Sequence, residues 1–218
     1  MNTFDRVLDD IGQAIVRGAL SAGHVDTVDG FVTRTGASRS IVREATRVLV
    51  SLGMIRAGRR VGLTILDRSE WQLLDPMVIR WRSGSDDRAR QDDELRDLRR
   101  AVEGEAARLA AAGRSASHLA ALSDAIDDLD AAAGARDASA FLAADRRFHA
   151  AVLTASRNAM LMRLQSVIDE ALRLRTPGTA VAWRAAPGDV QLHRDLLAAI
   201  ERRDAPAAGQ LMARIAEG

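Results

Sequence analysis

Apolar residues return every three or four positions along most of this 218-residue chain, the period of an α-helix that buries one face. Leu95, Leu98, Val102, Ala106 and Leu109 make one such stripe, and Leu119, Leu122, Ile126 and Leu129 a second. Phe141, Phe148 and Val152 mark a third, and Leu161, Leu164, Ile168 and Leu172 a fourth. A loop is expected at Thr176–Pro187, then two more helices at Val190–Ile200 and Ala207–Ile215. No run here alternates as an exposed strand does. Residues 91–218 therefore read as an all-α antiparallel bundle of six helices with short connections.

The first 66 residues follow a different plan. Phe4, Val7, Leu8, Ile11, Ile15 and Ala19 describe an amphipathic helix that ends at Gly18 and Gly23. A short segment, Asp29 to Thr35, leads through Gly36-Ala37 to Ser38, whose hydroxyl suits a helix N-cap. Val42, Ala45, Val48, Leu49 and Leu52 then form one buried stripe that Gly53 stops. Met54–Ala57 and Val61–Leu66 flank Gly58-Arg59-Arg60 as a hairpin. Helix, short helix, turn, helix and hairpin make the layout of a winged helix-turn-helix, so the fold class is mainly α.

The opposite face of the third helix carries Arg39, Arg43 and Arg47 at i, i+4 and i+8. Ser38 and Ser40 stand at the end that enters the major groove in such motifs. Arginine can donate twice to guanine O6 and N7, whereas serine hydroxyls and first-turn N–H groups suit phosphate. Arg59 and Arg60 at the hairpin tip can reach a neighbouring groove or backbone. Residues 1–66 hold nine arginines against six acids, a net of +3, while the remainder holds twenty-two against twenty-four, a net of −2. The same spacing also describes an ordinary solvated face. The Gly-Ala-Ser turn before it and the arginine-tipped hairpin after it favour double-stranded DNA.

Composition narrows the other classes. With no cysteine, disulfides, thiol nucleophiles and Cys-ligated metals are excluded. Aromatic residues are 3% of the chain and tyrosine is absent, which argues against a base-stacking RNA platform. No run approaches the ~18 apolar residues of a membrane span, and MNTFDRVLDD has no basic region followed by an apolar one. Every one of the 31 basic residues is arginine, as in an Ala-rich, GC-rich bacterial proteome. A cytoplasmic bacterial protein is expected. Residues 67–90 read as a connector: Trp71, Leu73, Leu74, Met77, Val78, Ile79 and Trp81 are expected to pack it against the second domain.

One helix of the bundle, 137–156, breaks its own pattern. Asp145 and His149 share a face with Phe141, Phe148 and Val152, where a carboxylate is costly unless paired or bound to a cation. His193 shares a face with Leu197 and Ile200 on the next-to-last helix. Asp with two imidazoles is a donor set for zinc, nickel or a similar divalent ion. The spacing equally allows an Asp145–His149 hydrogen-bonded pair and a core His193 satisfied by backbone. His24, in a turn, and His118, at a helix start, read as unremarkable. An enzyme is the contrasting class, since a three-ligand metal with an open position can be hydrolytic. No spare carboxylate occupies a general-base position, so no enzymatic activity is expected.

The stretch GASRSIVREATRVLVSLGMI (36–55) resembles the DNA-binding domain of GntR-family transcription regulators through Ser38, Arg39, Val42, Arg43, Glu44, Ala45, Arg47, Leu49 and Gly53. Gly18-Ala-Leu20 with Gly23, and Arg60-Val-Gly62, are similar to the family's first turn and wing. The usual Leu-Pro-x-Glu is replaced by Val25-Asp-Thr-Val28-Asp29, so an acid stands where some relatives place a DNA-contacting base. RRAVEGEAARLAA, DRRFHAAVLTASRN and LHRDLLAAIERRDAPAAGQLM resemble the FCD effector domain of the FadR-type branch. WQLLDPMVIRW is similar to a segment of GntR regulators of sugar-acid catabolism, such as the galactonate-operon repressors.

The resemblance implies a homodimeric regulator, a repressor released from operator DNA by a small organic acid. It implies metal ligands at Asp145, His149 and His193. The family's fourth ligand falls on Ile215, which cannot ligate. It also implies an effector pocket, with Arg99 as the best carboxylate fork and Asn158 and Arg173 as further candidates. A metal-free domain that binds a fatty acyl or other ligand is the alternative within the same family. The expected division is 1–66 for DNA, 67–90 as connector and 91–218 for effector binding and dimerisation.

Overall fold

The computed structural model describes residues 2–175 and 188–217. It divides into two units, Met1–Gln91 and Asp92–Gly218. The loop expected at 176–187 lies outside the described residues.

In the first unit, Asn2 opens α1 (Thr3–Val16) by accepting from the Asp5 N–H at 2.8 Å, in a reciprocal capping box. Val7, Leu8, Ile11 and Ile15 turn inward and are buried. Thr27 caps α2 (Val28–Thr35), and Gly36, at φ +66°, closes it in the left-handed conformation. Ser38 caps α3 (Arg39–Ser51) by accepting from the Ile41 N–H, as its position before the stripe predicts. Phe31, Val42, Ala45, Leu49 and Met54 complete the core against α1. Gly53, at φ +70°, ends α3, and a β-carbon there would lie 2.2 Å from the Glu70 carbonyl oxygen.

The expected hairpin is β2 (Ile55–Gly58) with β3 (Gly62–Ile65), Ile55 facing Ile65 and Gly58 facing Gly62. A two-residue β1 (Val25–Asp26) adds to the other edge of β3, giving an antiparallel sheet in the order β1-β3-β2. Arg60 turns the tip at φ +63°.

The segment read as a connector folds as part of this first unit, which corrects the expectation for its aromatic residues. Asp75 caps α4 (Pro76–Arg82), with proline at the first helical position. Trp81 is 2% exposed and lies in the winged-helix core. Its indole N–H donates to Asp9 Oδ1 at 2.9 Å, and its ring covers Gly12 of α1 so closely that a β-carbon there would meet it at 2.7 Å. Trp71 donates to the Leu66 carbonyl at 3.1 Å. The periodicity of this segment identified a buried face but not which surface it would be buried on. Asp87 ties the end of the unit together, accepting from Arg68 at 2.6 Å and from buried Arg82 at 2.7 and 3.1 Å.

The second unit is helical throughout its described residues. Most of α5 (Arg88–Gly113) belongs to it, followed by α6 (Ala116–Ala135), α7 (Ala138–Ala155), α8 (Ala159–Met162), α9 (Gln165–Arg175), α10 (Asp189–Glu201) and α11 (Ala205–Glu217). Ala106, Ala107, Ala110 and Ala111 on α5 join Leu122, Leu129, Phe148, Val152, Ile168, Leu196, Ile200 and Met212 in one core. The expected fourth helix is two: Asn158 caps a single turn, α8, before α9 begins. No helix among the described residues is long and apolar enough to cross a membrane.

Candidate functional site

On α3 the buried stripe leaves Ser38, Arg39, Ser40, Arg43 and Arg47 exposed together at one face. The hydroxyls of Ser38 and Ser40 lie 3.1 Å apart beside the first-turn N–H groups. Arg39 forms an ion pair with Asp29 of α2, and Arg47 pairs with Glu44 at 3.1 Å. Arg59 and Arg60 stand exposed at the hairpin tip. An exposed arginine face beginning at a helix N-terminus, with a basic hairpin in the same unit, is suited to phosphate and base-edge acceptors.

A second polar site is buried in the helical unit. The ligand atoms of Asp145 and His149 on α7 and of His193 on α10 all lie within 4.8 Å of one another. Asp145 Oδ1 is 3.2 Å from His193 Nε2 and 3.5 Å from His149 Nε2. Ligands about 2.1 Å from a tetrahedral zinc are separated by roughly 3.4 Å, so these two spacings already fit an ion. The far nitrogen of each ring is held elsewhere: His149 Nδ1 by Glu103, and His193 Nδ1 by the Asp189 backbone oxygen at 2.7 Å. A proton on each Nδ1 leaves the Nε2 lone pair of both rings on the side of Asp145 and open to an ion, the arrangement that metal-binding histidines adopt. His149 Nε2 is buried without a hydrogen-bond partner among the described residues. The ring of Phe148 packs edge-on to His193 at 4.7 Å and helps exclude water.

Glu103, fully buried on α5, joins this triad to Arg99. One carboxylate oxygen engages His149 and the other accepts from Arg99 Nε at 2.8 Å. Both terminal nitrogens of Arg99 are buried without hydrogen-bond partners among the described residues. Burial opposes the charge on His149, but the Glu103 and Asp145 carboxylates outweigh it and push the imidazole up to about 9. Burial likewise works against the Asp145 anion, yet His149 and His193 hold it far below the usual carboxylate range. Glu103 is also held low, by His149 and Arg99 against its own desolvation.

A small cavity adjoins the triad, walled by Phe141, Asp145, Arg175, His193, Arg214 and Ile215. Ile215 presents hydrocarbon to it, at the position where the resemblance implies a fourth ligand. Of the other nominated residues, Asn158 accepts from Met160 and Leu161 N–H groups as the cap of α8, and Arg173 pairs with Glu170 on its own helix. His118 completes the capping box of α6 with Ser115. Sequence reasoning missed Glu103 and Arg175. Glu103 stands at i+4 from Arg99, which could have flagged it. Arg175 gave no signal.

A winged helix with an arginine-bearing third helix, followed by a helical unit with a buried polar site, is the build of a DNA-binding transcription regulator. The FCD domain matches residues 94–218. The galactonate operon transcriptional repressor of Escherichia coli (strain K12) is 31% identical over 216 residues, covering 96% of this chain and 92% of that protein. Among solved structures, Streptococcus agalactiae GntR shares the fold with a TM-score of 0.54 at 21% identity, over 98% of this chain and 97% of that one. The chain belongs to the GntR family of transcription regulators and carries its FCD domain.

Proposed function

We propose that the protein is a cytoplasmic homodimeric repressor of a catabolic operon, released from its operator by a small organic acid bound beside a divalent metal in the helical unit. Two winged helices related by a two-fold axis would read a pseudo-palindrome, with Ser38, Arg39, Ser40, Arg43 and Arg47 in the major groove and Arg59 and Arg60 beside it. The helical unit would supply the dimer contacts. Asp145, His149 and His193 would hold zinc or nickel, which when bound would offer a Lewis-acidic position to a ligand oxygen.

The observation that carries this reading is the donor-only character of Arg99's unpaired ends beside the triad. With a divalent ion in place and His149 neutral, two carboxylates face one guanidinium and two metal charges, a net of +1 around the site. On the cavity wall Arg175 and Arg214 add two positive charges and Asp189 removes one. Such a site favours an anion, and a carboxylate fits the guanidinium fork. The galactonate operon repressor makes an aldonate or related sugar acid the first candidate. For the acid to act on DNA, it must prefer one arrangement of the two winged helices over another.

A second reading has its own support. With His149 protonated, the group Arg99, Glu103, His149 and Asp145 is already neutral, as a metal-free effector domain would require. A thermal-shift panel of sugar acids, dicarboxylates and fatty acids, run with added zinc or nickel and with chelator, separates the two. A ligand specific to the folded state adds ~2.7 kcal/mol at 100 times its Kd. A sugar-acid shift abolished by chelator supports the metal site. A chelator-insensitive shift leaves the triad as polar groups of a metal-free pocket, and no effect of the active acid on DNA affinity would defeat induction itself.

A further inference from the structure

The three arginines of α3 differ in what holds them. Arg47 leans on Glu44 of its own helix, and Arg43 has no ion pair among the described residues. Arg39 alone reaches off the helix, its Nη2 meeting Asp29 Oδ1 in the first turn of α2. The backbone fixes this encounter from both sides. Thr27 caps α2 and sets Asp29 in its first turn, while left-handed Gly36, buried Ala37 and the Ser38 cap deliver Arg39 to the first turn of α3.

Stability does not account for the pair. Arg39 and Asp29 are 60% and 63% exposed, and ion pairs that open to water contribute little to stability. On a surface that meets DNA, an uncompensated carboxylate would repel phosphate, so Asp29 enters the interface only together with its arginine. Guanidinium carries five N–H donors in a rigid fork. A contact through Nη2 leaves Nε and Nη1 for further acceptors, and guanine O6 and N7 accept two hydrogen bonds from one arginine.

We infer that Asp29 is a specificity-determining residue that positions Arg39, holding its guanidinium toward a base edge and away from the neighbouring phosphates. The inference rests on α3 being the DNA-reading helix. Without the carboxylate, Arg39 is free to take a phosphate, which adds affinity without adding sequence information.

The test uses the full-length protein and a randomised double-stranded DNA pool, with bound sequences read out for wild type, Asp29→Asn, Asp29→Glu and Arg39→Ala. Wild type is expected to select a two-fold repeated motif. Asp29→Asn should select the same motif with preference lost at one base pair of each half-site, the pair at which Arg39→Ala also loses it. Discrimination there should fall about tenfold, within the span of one bidentate contact. The slope of log affinity against log salt should steepen by about one per protomer as Arg39 gains a phosphate, a change that a merely structural role would not produce. Asp29→Glu should recover part of the preference. An unchanged motif and slope for Asp29→Asn would overturn the inference, as would loss at a base pair different from that of Arg39→Ala. A wild-type protein that selects no motif would instead overturn the DNA-reading assignment of α3.

Discussion

At the proposed metal site, proton and metal would compete for one nitrogen of His149. In the metal-free chain its folded pKa, about 9, lies above the ordinary 6.5. The imidazolium therefore contributes stability that is fully present below 6.5 and is lost as pH rises through about 9. An ion bound there would need the neutral ring and would have to displace that proton. Zinc or nickel affinity is thus expected to tighten by roughly tenfold per pH unit between 6.5 and 9, then level off. Competition against a chromophoric chelator across that window measures it, and a flat profile would mean the ion does not use His149. On the DNA side, Arg43→Ala should cost ~1–3 kcal/mol of affinity for the selected duplex. Unchanged binding by fluorescence anisotropy would remove Arg43 from the reading face.

Elements were most legible where local rules act alone. Ser38, the α3 stripe and Gly53 bound a helix that needs no tertiary information to be recognised, and the hairpin lies where its β-prone runs flank Gly58. Strand β1 was not legible, because two residues carry no alternation and only pairing with β3 makes Val25–Asp26 a strand. The partner of a buried face is equally invisible to periodicity, which is why Trp81 was expected on the wrong surface. In the site, Asp145, His149 and His193 stood out as polar groups on apolar faces. Glu103 did not, since it lies among Arg99, Arg100 and Glu105 and reads as one more charge on a long helix. The contact of Trp81 with Gly12 gives a direct test of the element packing. Gly12→Val should destabilise the first unit by ~1–3 kcal/mol through overpacking, read as a lower urea midpoint. An unaltered midpoint would mean that α4 does not rest on α1 in solution.

At the scale of the whole molecule, the first unit closes its own core from Val7 to Trp81, so residues 1–91 should melt cooperatively as a fragment. If the helical unit supplies the dimer contacts, as proposed, such a fragment should keep the base preference of the full chain but bind at least a hundredfold more weakly, the cost of losing an effective concentration. Equal affinity would place dimerisation in the winged helix. The margin that holds any such fold is narrow, about 5–15 kcal/mol in total. Removing one partner from a buried charge group typically costs ~3–5 of it. Arg99, Glu103 and His149 form such a group, with the Glu103 carboxylate between two cations out of reach of water. Loss of Glu103 would strand both cations at once, so mutational drift can replace it only together with Arg99 and His149. Their histories in descendants of this gene should be linked, and a swap of one alone should be tolerated only where another has already changed.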